Sequence, residues 1–77
     1  MIIRKGTKAK LVRVDGDRDD PIVTFWSRYI GSVGVLIADA NIAEVGIGTD
    51  DFIEVEFPGS EGSSFPATLN EIEIVPA

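Results

Sequence analysis

Seventy-seven residues carrying a formal net charge of −6 suffice for one domain. With neither Cys nor His, the chain excludes a disulfide scaffold, a zinc ribbon, an iron–sulfur cluster and any triad built on those side chains, and no cofactor is expected. Its 10 Ile and 8 Val against 3 Leu, punctuated by 8 Gly and 4 Pro, argue for strands and turns.

At the N-terminus, Met1, Ile2 and Ile3 run straight into Arg4 and Lys5, so no signal peptide is read there. No apolar run reaches the length of a membrane span. The expectation is a complete, soluble, cytoplasmic chain, and the absence of Cys fits a reducing compartment. Gly6 opens a first strand from Thr7 to Val14, with Lys8 and Lys10 on one face and Ala9 and Leu11 on the other. The adjacent Leu11 and Val12 break the alternation, as a bulge or two-sided burial does. Asp15 to Pro21 is a loop by composition. Ile22 to Ile30 carries Phe25, Trp26, Arg28 and Tyr29; alternation there sets Phe25 and Tyr29 on one face and Trp26 and Arg28 on the other.

A strand follows from Val33 to Ala38, with Gly34 marking a bend or a close backbone approach. Asp39 to Asp51 is a second loop, turning at Gly46 and Gly48, with one helical turn over 41–45. Phe52 to Phe57 alternates cleanly, with Ile53, Val55 and Phe57 inward and Glu54 and Glu56 outward. Pro58 to Gly62 is a hairpin turn. Ser64 to Leu69 returns with Phe65, Ala67 and Leu69 on one face, and Asn70-Glu71 turns into a last strand, Ile72 to Val75. No long stretch has helical periodicity. The fold class is all-β: one domain over 1–77, a small five-stranded, partly open SH3-like barrel whose closure hides strand edges.

The order of these pieces resembles the photosystem I subunit IV family and related electron-transport accessory domains. The resemblance rests on the run from Lys5 to Arg13, on Phe25-Trp26 with Val33-Gly34, on Ile53 to Phe57, and on Phe65 through Asn70-Glu71 to Val75. It implies the barrel fold and, as a minor reading, a photosynthetic role. Residues 15–24 read as an insertion relative to that family, and the net charge of −6 departs from a basic ferredoxin-docking surface.

Charge is the most informative pattern. All seven Lys and Arg lie between Arg4 and Arg28. One reading is a basic face for phosphates or an acidic partner, with Lys8, Lys10 and Arg13 as contacts. The simpler reading pairs this strand with acids such as Glu71 and Glu73 across the sheet, and is preferred because a pI near 4.3 repels nucleic acid at long range. Asp15, Asp17 and Asp19 begin a calcium-loop spacing, but Asp20 stands where its Gly belongs and Trp26 where its Glu belongs, so no metal site is assigned.

Trp26 and Arg28 read either as a recognition surface or, for Trp26, as core. Gly46-Ile47-Gly48-Thr49 and Gly31-Ser32-Val33-Gly34 are not phosphate loops. No catalytic residue is assigned, so the chain is read as no enzyme. The leading expectation is a protein-binding module or accessory subunit contacting another protein through Trp26, Arg28, Lys8, Lys10 and Arg13. The alternatives are a nucleic-acid-binding barrel, with Trp26 stacking on a base, and a structural component of a larger, for example viral, assembly. The sequence does not fix the oligomeric state.

Overall fold

The computed structural model describes residues 2–42 and 52–76. Its elements are β1 (Ile2–Ile3), β2 (Lys8–Leu11), α1 (Pro21–Ser27), β3 (Val33–Leu36), β4 (Ala40–Asn41), β5 (Ile53–Glu56), β6 (Phe65–Ala67) and β7 (Ile72–Val75). Five of the strands form one antiparallel sheet in the order β6-β5-β3-β2-β7, while β1 and β4 pair separately. The sheet curls into a half-barrel, a small all-β SH3-like fold. Of the loop expected over Asp39 to Asp51, Ala40–Asn41 pair as β4 instead, and 43–51, with Gly46, Gly48 and most of the helical turn expected over 41–45, fall outside the described residues.

Alternation decides which side chains enter the core. Ala9, Leu11, Leu36, Ile53, Val55, Phe65, Ala67 and Ile72 are buried on the inner face of their strands, and Phe57 joins them just past β5. Ile3, Ala40 and Ile42, from or beside the small β1–β4 pair, extend this core. The expected bulge is present one residue later than its sequence signal. The backbone N–H groups of Val12 and Arg13 both donate to the Glu71 carbonyl, at 2.8 and 3.3 Å, the two-against-one pattern that bends a strand. Leu69, expected on one face with Phe65 and Ala67, lies beyond the end of β6 and is exposed where those two are buried.

The segment expected to alternate like a strand is instead the helix α1. Asp20 caps it, its Oδ1 accepting from the Ile22 N–H at 2.9 Å, and Pro21 occupies the first turn, where a missing N–H costs nothing. Val23, Trp26 and Ser27 lie at helical spacing and are the residues of α1 that are buried or half-buried. Trp26 thereby enters the core. Its ring centroid lies 5.3 Å from Phe65, 5.5 Å from Tyr29 and 6.3 Å from Phe57. The helix lays an aromatic cap over β5 and β6.

Glu71 joins the two edges of the curled sheet. It is buried, its Oε1 accepting from the backbone N–H and hydroxyl of Thr68 at 2.9 and 3.1 Å, its Oε2 from the Asp15 N–H at 2.9 Å. Thr68 follows β6, whereas Asp15 follows β2, so one carboxylate fastens the end of an edge strand to the far side of the barrel. Glu71→Gln keeps the volume but turns an amide N–H₂ toward a backbone donor. Leaving one such buried donor unmet costs about 1–3 kcal/mol. Urea unfolding is expected to shift to a lower midpoint by that amount with unchanged slope; an unshifted midpoint would show that the clasp contributes nothing to stability.

Candidate functional site

Strand register determines what the outer face of the sheet presents. Lys8 lies opposite Val35, and Val35 lies opposite Glu56, so a base, an apolar side chain and an acid stand in one row across β2, β3 and β5. Lys10 lies opposite Val33 in the next row. On the other side of β3 the Ile37 N–H donates to the Glu54 carbonyl at 3.1 Å, carrying the pattern past the strand end. Three columns result: Lys8 and Lys10 on β2; Val33, Val35 and Ile37 along β3; Glu54 and Glu56 on β5. Beyond β2, Glu73 on β7 lies opposite Lys10 and Val75 opposite Lys8. On the far edge, Pro66 lies opposite Glu54.

The apolar column is the unusual part of this surface. Val33, Val35 and Ile37 are 41%, 43% and 39% exposed at the centre of the sheet, where an isolated soluble barrel has no need of three consecutive outward aliphatics. They floor a shallow groove of about 610 Å³, with Lys5 on its rim at one side and Glu56, Pro58 and Glu61 at the other. The Glu61 carboxyl accepts from the backbone N–H of Gly59 at 3.1 Å. Hydrogen bonds from its own N–H and that of Gly59 hold the Glu61 pKa below the ordinary glutamate value.

The structure divides the residues singled out from the sequence. Lys8 and Lys10 lie together on the outer face. Among the described residues neither makes an ion pair, although Lys10 stands opposite Glu73 as cross-strand pairing requires. Glu71, the other acid expected to face them, is buried in the clasp. Arg13 lies past β2 and is paired with Asp15 at 3.1 Å. Arg28, at the C-cap of α1, lies over the exposed Phe25 ring, 5.1 Å from its centroid. Trp26 corrects the expectation that placed it on a contact surface with Arg28: it is 7% exposed and packed among Phe25, Tyr29, Phe57 and Phe65.

Burial of Trp26 removes the base-stacking platform that the nucleic-acid reading needs. Glu54 and Glu56, on the same face as Lys8 and Lys10, break up the basic field it also needs. In the acidic loop, Asp17 accepts from the Asp19 N–H at 3.0 Å, Asp20 caps α1 and Asp15 binds Arg13. No group of acids among the described residues is placed to hold a metal ion.

Sequence reasoning missed Val33, Val35 and Ile37. The available signal was that β3 and its extension read apolar at every position but one: Val33-Gly34-Val35-Leu36-Ile37. Such a run belongs to a strand covered on both faces, yet here only the inner face is covered. No helix among the described residues is long and apolar enough to cross a membrane. No family model, curated protein or solved structure matches this chain.

Proposed function

We propose that this chain is a non-catalytic protein-binding module, an accessory subunit that docks through the outer face of its sheet and works in a reducing, cytoplasmic setting. The observation that carries the reading is the exposed column of Val33, Val35 and Ile37 between Lys8 and Lys10 on one side and Glu54 and Glu56 on the other. An apolar strip with charged margins is the composition of an interface core and rim. The resemblance to the electron-transport accessory barrels, read from the sequence, enters this proposal as fold only.

The test compares wild type with Val35→Asp as immobilised bait, with nuclease present. Val35 points outward, so the variant is expected to unfold within about 1 kcal/mol of wild type. It is also expected to lose any partner that wild type retains, because a carboxylate at the centre of a dry contact costs several-fold to a hundredfold in affinity. Retention of the same partner by Val35→Asp would sink the reading. Nuclease-sensitive retention abolished by Lys8→Glu with Lys10→Glu would replace it with nucleic-acid binding.

A further inference from the structure

We infer that the occupant of this face is a second copy of the same chain, an inference that rests on reading the face as a contact surface. The argument is its polarity. Across the face, perpendicular to the strands, the order is basic, apolar, acidic: Lys8, Val35 and Glu56 in one row. The groove rims repeat that order, with Lys5 on the basic side and Glu61 on the acidic side.

A two-fold axis lying in the plane of the face and running along β3 reverses left and right while keeping each row at its own height. It stacks the Val35 of one copy on that of the other. It also sets each Lys8 over the partner's Glu56. An axis perpendicular to the strands does the opposite, bringing base over base and acid over acid. The face is therefore self-complementary in one arrangement, the isologous contact that closes a dimer and stops. Aligned stacking of two twisted sheets gives the same geometry to within about 30°.

Net charge supports the choice of this surface. A chain of net charge −6 repels its own copies over most of its surface. Here Lys5, Lys8 and Lys10 offset all but one of the acids Glu54, Glu56, Glu61 and Glu73, so the two copies meet where that repulsion is largely cancelled. Four-residue strands in a five-stranded sheet offer a face roughly 24 Å wide and 14 Å long. Two facing areas of that size bury about 700 Å² in total, below the ~1,000 Å² of a stable specific interface. The dimer is accordingly weak, with a dissociation constant on the order of 1 mM or somewhat below, and weakens further as salt screens the two Lys8–Glu56 pairs.

The experiment is sedimentation of wild type, Lys8→Glu, Glu56→Lys and an equimolar mixture of the two variants, each up to ~1 mM, a concentration that populates even a millimolar dimer. Wild type is expected to dimerise with concentration. Each variant alone places like charges in contact twice and is expected to dimerise at least tenfold more weakly. In the mixture, position 8 of each variant meets the opposite charge at position 56 of the other. The dimer is therefore expected to return, a rescue that unfolded chains cannot produce. A monomeric wild type, or a mixture no more associated than its components, overturns the second copy as occupant. If in that case wild type still holds a different protein that Val35→Asp loses, the contact-surface reading stands without the dimer. If no protein is held either, both fall.

Discussion

Gly34→Ala is expected to remove at least about a quarter, and up to three quarters or more, of the free energy of unfolding. Gly34 sits inside β3 with its Cα turned into the barrel, where a Cβ would lie 2.6 Å from Val55 Cγ1, 2.7 Å from the Glu56 carbonyl oxygen and 2.8 Å from Phe57 Cδ1. One of these is backbone in the neighbouring strand and has no rotamer in which to retreat. Relief requires β3 and β5 to part at the centre of the sheet, where Val35 pairs with Glu56 and Leu36 with Val55. Overpacking of a core costs about 1–3 kcal/mol when side chains can adjust, and with a carbonyl in the way the cost is expected at or above ~3 kcal/mol. A domain of this length has only about 4–12 kcal/mol in total.

Gly6→Ala separates crowding from backbone conformation. Gly6 has a φ of 91° and nothing within 4 Å of its would-be Cβ, so only the left-handed backbone is penalised, by about 1–2 kcal/mol. Equal losses from the two variants, measured by denaturant titration, would show that space at Gly34 is not what matters. The role assigned to Gly34 is to let the Phe57 ring lie across the strand. That ring stacks on Tyr29 at 5.4 Å and so connects the sheet to the segment that follows the helix.

The sheet was legible because a half-covered strand imposes a period of two on its sequence. Ile53, Glu54, Val55, Glu56 and Phe57 follow it without exception, and their burial follows suit. Gly34 was legible as a bend or a close approach, two of the uses a glycine has inside an otherwise apolar strand, and the structure shows the close approach. The helix was not. Its seven residues are too few for helical periodicity to outweigh the strand-like pattern of Phe25, Trp26 and Tyr29, and its strongest mark, Asp20-Pro21 as cap and first turn, also reads as a loop.

Glu71 could not have been found locally, since its hydrogen bond to Asp15 spans 56 residues and exists only once the barrel closes. The contact face was half legible. Lys8 and Lys10 stood out by charge, whereas Val33 and Val35 did not stand out, because apolar residues at both phases of a strand do not say which face is covered. Arg13 and Arg28 stood out by charge as well, and the fold sends them elsewhere, to Asp15 and to the Phe25 ring.

Trp26→Ala is expected to cost about 3–5 kcal/mol, the range for emptying a buried large aromatic site. Trp26 is the one buried residue of α1, and its ring touches rings from both β5's end and β6. Removing it takes away the helix's hold on the barrel as well as the volume of the indole. A seven-residue helix has no independent stability in water and persists only through such packing. Loss should therefore appear first as fraying of 21–27 in amide exchange, then as a lowered midpoint for the whole domain. Because Trp26 is the only tryptophan, wild-type fluorescence supplies an independent check: emission should be blue-shifted when folded and move to the red in urea as the ring meets water. Emission already at the solvent position in the native state, together with an unchanged midpoint for Trp26→Ala, would return the indole to the surface. It would also reopen Trp26 and Arg28 as contact residues. With the indole in the core, any binding lost in this variant is a loss of fold, which is why Val35 and Lys8, outward and separate from the aromatic cap, are the positions that report on contact.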